Sequence, residues 1–167
     1  MKLRHMAVAV IERDKRLLMM KRDGSRLFPF EFWSFVGGHL EPNELNDPRG
    51  ACIREIYEES GLEESDLIDF RLRYVLLRQK EDEIRIQYVF FGRTRRFEVV
   101  ASDEGNLYWM NKTQVQQLNL STIIRGMLEH HMEHEHEERV MVGTIRKHPD
   151  GEKPRIQWSL MDDPLRF

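Results

Sequence analysis

A chain of 167 residues, 40% hydrophobic and 33% charged with a formal net charge of −3, can hold one domain with a core of its own and has ordinary globular composition. That excludes extensive disorder, and the lack of an overall basic field argues against a dedicated nucleic-acid-binding module. Cys52 is the lone cysteine, so no internal disulfide can form and a reducing, cytoplasmic setting is expected.

In chain order, Met6–Ile11 is an apolar run too short for a secretory core or a membrane span, and Glu12-Arg13-Asp14-Lys15 ends it. Leu3–Glu12 and Arg16–Arg22 read as a β-hairpin. An aromatic loop follows, Phe28-Pro29-Phe30-Glu31-Phe32-Trp33, then a short strand at Ser34–Val36 that stops at Gly37-Gly38. Asp47 as N-cap, Pro48 in the first turn and Gly61 as stop frame a helix about 20 Å long. Ile53, Ile56, Tyr57 and Leu62 would anchor it to a sheet.

Leu67–Arg78 and Ile84–Arg95 read as a long antiparallel pair. Leu107–Met110 reads as a short strand and Lys112–Leu118 as a short helix. A longer helix starts near Ser121 and carries Ile123, Ile124, Met127, Leu128 and Met132 at helical spacing. Val140–Lys147 and Arg155–Leu160 flank the turn-rich His148-Pro149-Asp150-Gly151-Glu152. With no repeat, low-complexity linker or boundary, residues 1–167 read as one domain, α+β or a layered αβα sandwich.

The charge pattern of the first helix needs a reason. Glu55, Glu58 and Glu59 stand at i, i+3 and i+4, so their side chains share one helix face and repel one another. One reading is a solvated acidic face, with Gly37-Gly38 a mere turn. The other is a hard-cation site, where carboxylate oxygens hold Mg²⁺ or Mn²⁺ and leave room for water and phosphates.

The whole arrangement resembles a known motif. Gly38, five residues, Glu44, then Arg54-Glu55-Ile56-x-Glu58-Glu59-x-Gly61-Leu62 is similar to the signature box of the Nudix (MutT-like) hydrolases. The pattern has seven residues between its first glutamate and the arginine, whereas nine separate Glu44 from Arg54 here, which reads as a longer lead-in to the helix. The resemblance implies an αβα sandwich with a mixed central sheet that hydrolyses nucleoside diphosphate derivatives with divalent cations. It implies that Glu55, Glu58 and Glu59 bind metal, one of them serving also as base, and that Arg54 orients the cluster. Gly37-Gly38 would let metal or phosphate approach the backbone closely, with Gly38 at the metal.

Trp33-x-x-Val36-Gly37-Gly38, Ser102–Trp109 and Ile156–Leu160 resemble the oxidised-purine triphosphatases, which implies 8-oxo-dGTP as a substrate. The other Nudix readings are ADP-ribose, a dinucleoside polyphosphate or a nucleotide sugar, or a nucleotide sensor without turnover. A purine slot could draw on Phe28, Phe30, Phe32, Trp33 and Tyr88. Arg22 could reach a phosphate, and Glu104, in a loop before Gly105, could act as a catalytic carboxylate; a surface arginine and a solvated acid are the plain alternatives. The run His130–His136 reads as a solvated polar face rather than a zinc site, and Cys52 as a buried inert thiol. Expected partners are a small nucleotide and a divalent cation, with no membrane and no stable nucleic-acid complex, in a monomer or homodimer.

Overall fold

A computed structural model describes residues 1–22, 30–146 and 154–162. The hairpin opens the chain as β1 (Lys2–Arg13) and β2 (Arg16–Arg22). Asp14 and Lys15 both take positive φ, +47° and +63°, the tight turn whose twist matches the flanking strands. Next come β3 (Phe32–Ser34), β4 (Val36–His39) and the helix α1 (Pro48–Ser60). The long pair is β5 (Leu67–Lys80) and β6 (Glu83–Thr94), followed by β7 (Asn106–Asn111). Two helices, α2 (Lys112–Val115) and α3 (Thr122–Glu133), precede β8 (Met141–Arg146) and β9 (Arg155–Leu160).

The strands form one sheet in the order β3-β2-β1-β6-β5-β8-β9, with β4 paired to β1 and β7 to β2. It is mixed, because β1 runs parallel to β6 and β5 parallel to β8. Alternation along β1 builds two cores. Ala7, Ala9 and Ile11 face α1 with Leu18, Met20, Cys52 and Ile56, while Val8 and Val10 face α3 with Met19, Ile124 and Met127. Because both faces are covered, β1 and β2 read as continuous apolar runs rather than alternating ones. The architecture is the expected α+β sandwich.

Four expectations need correction. The glycine pair does not end a strand: β4 continues through it, with Val8 opposite Gly37 and Ala7 opposite Gly38. Tyr57 is 58% exposed, and α1 is anchored by Ala51, Cys52 and Ile56 with Leu62 beyond its end. The helix expected over Lys112–Leu118 is a single turn, α2. His130 and His131 do not lie on a solvated face: His130 is buried, with Nδ1 3.1 Å from the Tyr74 hydroxyl, and the His131 ring lies 4.2 Å from that of Phe91. The turn expected at His148–Glu152 lies outside the described residues, although the strands on either side of it pair antiparallel. Cys52 is fully buried and burial pushes its thiol pKa up, which fits an inert role. No helix among the described residues is long and apolar enough to cross a membrane.

Candidate active site

The site forms where α1 lies against β4. Asp47 caps α1 by accepting from the Gly50 amide at 2.9 Å, Pro48 opens it, and Gly61 at φ +69° closes it on the Tyr57 carbonyl. This fixes the helix so that Glu55 and Glu59 point back to the glycine strand. Gly37, at φ +140°, is held so close to β1 that a Cβ would lie 2.2 Å from the Ala7 carbonyl oxygen. Its amide is thereby turned toward α1 and donates to Glu59 Oε2 at 2.6 Å.

Gly38 serves differently. A Cβ there would lie 2.5–2.6 Å from the atoms of the Glu55 carboxyl group, so the missing side chain is the space that Glu55 occupies. The obstruction met first by a larger residue is therefore the carboxylate itself. Gly38→Val is expected to displace Glu55 and lower kcat/KM by about 100-fold, the cost of an ångström-scale misplacement, with little loss of Tm. Gly37→Ala should behave in the opposite way, costing at least about 1–3 kcal/mol of stability through backbone strain. Thermal melts and kinetics on both variants check the contrast; unchanged kcat/KM for Gly38→Val defeats it.

Arg54 organises the exposed half of the cluster. Its Nε and Nη2 donate to the two oxygens of Glu44 at 2.7 and 2.8 Å, and Nη1 donates to Glu55 at 2.9 Å and Glu58 at 3.1 Å. Nη2 also reaches the His39 carbonyl at 3.2 Å. The longer stretch from Glu44 to Arg54 runs through the Asp47 cap and the first turns of α1, and it leaves Glu44 on its arginine. The Arg54 hydrogen bonds, helped by the Glu41 amide, hold the Glu44 carboxyl down to about 2. Glu55 shifts the other way, raised by burial against the pull of Arg54.

Arg22 organises the buried half. Its Nη2 donates to Glu59 Oε1 at 3.0 Å, Nη1 is bonded to Glu104, and Nε donates to Ser34 Oγ at 3.1 Å. Glu59 is 2% exposed, and burial pushes its pKa up to about 7 against the Gly37 amide and Arg22. Glu104 meets Glu59 side by side and is lowered: burial works to raise it, but the hydrogen bonds from Arg22 and Glu59 outweigh that. A carboxyl pair pushed apart in this way keeps one member ready to hold a proton and the other ready to accept one.

Five carboxylates thus face two arginines in one place. The sequence singled out Arg22, Gly37, Gly38, Arg54, Glu55, Glu58, Glu59 and Glu104, and the structure gathers them. Arg22 stands as a clamp between two acids rather than free for a phosphate. Among the described residues, Phe30, Trp33 and Tyr88 do not come together as one aromatic slot. Phe30 is 70% exposed, Trp33 packs with the α3-side core and edge-on to Tyr108 at 5.4 Å, and Tyr88 lies on the α1 side beside His5. Phe28 lies outside the described residues. Ser34 was missed, as was a row of arginines beside the site. Arg4, Arg85 and Arg78 stand in register across β1, β6 and β5, with Glu83 bonded to Arg4 and Arg85 and the His39 ring 3.2 Å from Arg4. Only cross-strand register brings them together, so no local motif announces them.

The hard oxygen donors of Glu55, Glu58 and Glu59 fit a divalent cation in kind, and their surplus negative charge fits it in sign. Among the described residues no three acidic, histidine or cysteine side chains already converge as a metal cage, since the arginines occupy their oxygens.

A family model described as NUDIX domain matches residues 1–131. The chain is 29% identical over 131 residues to the CTP pyrophosphohydrolase of Escherichia coli (strain K12), covering 77% of this chain and 91% of that protein. The fold is similar to the MutT protein from Bacillus halodurans, with a TM-score of 0.70 at 20% identity over 92% of this chain and 97% of that one. It is also similar to the MutT protein from Methanosarcina mazei Go1, with a TM-score of 0.68 at 18% identity over 81% and 97%.

Proposed function

The chain belongs to the Nudix family, whose members are pyrophosphohydrolases of nucleotide-like substrates, and on that footing we propose that it cleaves a nucleoside triphosphate to the monophosphate and pyrophosphate. The observation that carries this reading is the Glu59–Arg22–Glu104 arrangement beside the Glu44–Arg54 cluster, gathered against the glutamate face of α1. A sensing module without turnover needs no such graded set of carboxylates. β8 and β9 belong to the same working unit, because β8 extends the sheet by pairing with β5 and β9 by pairing with β8.

Glu55, Glu58 and Glu59, with the Gly38 backbone beside them, are the groups that would hold Mg²⁺ or Mn²⁺. The cation, when bound, neutralises phosphate charge and lowers the pKa of the attacking water. Glu104, ionised and about half exposed, is placed to take that water's proton, and Glu59 supplies a second carboxylate once it has lost its own. Arg54 keeps Glu55 and Glu58 in place. Arg22, released from one acid when a substrate arrives, can turn a guanidinium NH to a phosphate oxygen. The arginine row Arg4-Arg85-Arg78, which reaches the end of the glycine strand through His39, adds positive charge at the edge of the site.

The finer reading is an oxidised purine such as 8-oxo-dGTP. A second reading, CTP, is favoured by the relative that shares 29% identity and is named for that substrate. Steady-state kinetics with 8-oxo-dGTP, dGTP, CTP and ADP-ribose decide between them. An oxidised-purine enzyme should favour 8-oxo-dGTP over dGTP by roughly one to two decades in kcat/KM, the worth of one well-placed buried hydrogen bond. Equal rates for those two with faster CTP cleavage select the second reading. A preference for ADP-ribose removes the triphosphate assignment and leaves the family.

A further inference from the structure

On the opposite face of the sheet from the glutamate cluster, β1, β5, β6, α2 and α3 enclose a cavity of about 360 Å³, within the range of small-molecule sites. Its apolar wall is built from Val10, Leu17, Phe91, Leu128 and Met132. Arg73 lines it too, 6% exposed, and makes no hydrogen bond or ion pair among the described residues; its Nε is buried without a partner. His131, on the same wall, has a buried Nδ1 that is also unpartnered.

The other cations of the cavity are already matched. Arg93 pairs with Asp69, Lys112 with Glu12 at 3.1 Å and Glu135 at 3.4 Å, and Arg71 with Glu138 at 3.3 Å. Arg73 is left over. Arg71 and Arg73 share the α3 side while Leu72 between them faces α1, and a break in the β5–β6 register between Leu72 and Tyr74 brings Tyr74 to the same side as Arg73. Strict alternation would send Arg73 and Tyr74 to opposite faces, whereas the extra residue leaves both on the α3 side; bulges re-aim side chains in this way. A buried guanidinium with no acid in contact is costly: burial and neighbouring Arg71 lower its pKa, and the more distant Glu138 and Glu137 only partly offset them. Something of opposite charge would remove the cost.

We propose that this cavity is a binding site for a small organic anion, a carboxylate or phosphate monoester on a flat or apolar body, with its acid group on Arg73 and His131 and its body against Phe91, Leu128 and Met132. The site is distinct from the glutamate cluster. It is built from the C-terminal half of β1 and the Asp69–Arg73 end of β5, whereas the glycine strand pairs with the N-terminal half of β1 at Ala7 and Val8, and the glutamates reach that strand from α1. The inference therefore stands apart from the nucleotide reading.

The test is calorimetric titration of the whole protein with phenyl phosphate, benzoate and, as a neutral control, benzyl alcohol. At least one anion should bind at millimolar concentration, and which one binds tells phosphate monoester from carboxylate. Benzyl alcohol should not bind. Arg73→Met should weaken the anion by about ten- to a hundred-fold, the worth of a charged hydrogen bond, while Arg73→Lys restores part of it. Amide shifts on titration should fall on Arg73, Phe91 and His131, not on Glu55–Glu59. The ligand-free Arg73→Met protein should melt no lower than wild type, since it loses an unpaired buried charge. Failure of both anions to bind, unchanged binding by Arg73→Met, shifts centred on α1, or a lower Tm for that variant each overturns the proposal.

Discussion

Glu59→Gln is expected to lower kcat by about 10²–10⁴-fold while the far-ultraviolet circular dichroism stays native. The reason is position rather than charge alone. Glu59 is the most buried acid of the cluster, and the Gly37 amide and Arg22 fix both its oxygens at 2.6 and 3.0 Å. Glutamine keeps the shape and one accepting oxygen for Gly37, and Arg22 keeps Glu104, so the fold has no cause to change. What is lost is a group that can shed its proton and become an anionic oxygen donor. Glu58→Gln, on the half-exposed rim, should also lower kcat, and either variant with wild-type turnover defeats the assignment.

The same residue gives a signed pH effect on stability. In metal-free protein Glu59 titrates at about 7, above its ordinary 4.5, mainly because burial disfavours the charge. Between those two values the folded state binds more protons than the unfolded one. Its contribution to stability is therefore fully present below about 4.5, falls as pH rises, and is lost above about 7. Glutamine cannot ionise, so in EDTA the variant should gain on wild type by a few degrees of Tm between pH 5 and pH 8. A Tm difference independent of pH would show that Glu59 does not ionise within that window.

How much of this was legible in the sequence follows the range of the interaction. Asp47, Pro48 and Gly61 bound a helix by local chemistry, and their reading gave α1 to the residue. The i, i+3, i+4 glutamates carried the site in the same way. Gly37-Gly38 reads as a stop because glycine is weak in strands, yet β4 needs glycine there for its close approach to Ala7 and to Glu55. Arg22 and Glu104 lie far apart in sequence, and their meeting depends on β2 pairing with β7, which no local pattern encodes. The histidine run misled because its composition is polar. His130 and His131 are nonetheless the positions at which α3 turns toward Tyr74 and Phe91. Arg73 left no sequence signal at all, since only the fold shows that its face of β5 is the one covered by α3.

Removal of divalent cations is expected to reduce hydrolysis to the uncatalysed background, and Mg²⁺ or Mn²⁺ to restore it. The argument starts from repulsion. Two arginines cannot neutralise five carboxylates, and Glu55 and Glu59 already answer burial by moving toward their protonated forms. A cation that binds the folded protein alone must stabilise it. At about a hundred times its Kd the gain is about 2.7 kcal/mol, or roughly 5–10 °C in Tm for a chain of this size. Glu58→Gln and Glu59→Gln should each shrink that rise, because each takes away one anionic oxygen donor. Oxygen donors favour Mg²⁺ and Mn²⁺ over thiolate-seeking ions, so the order of effective metals tests the donor set itself. Full turnover in excess EDTA would overturn the cation requirement. A Tm rise that survives in a Glu55→Gln, Glu58→Gln, Glu59→Gln triple variant would place the cation elsewhere than on this helix face.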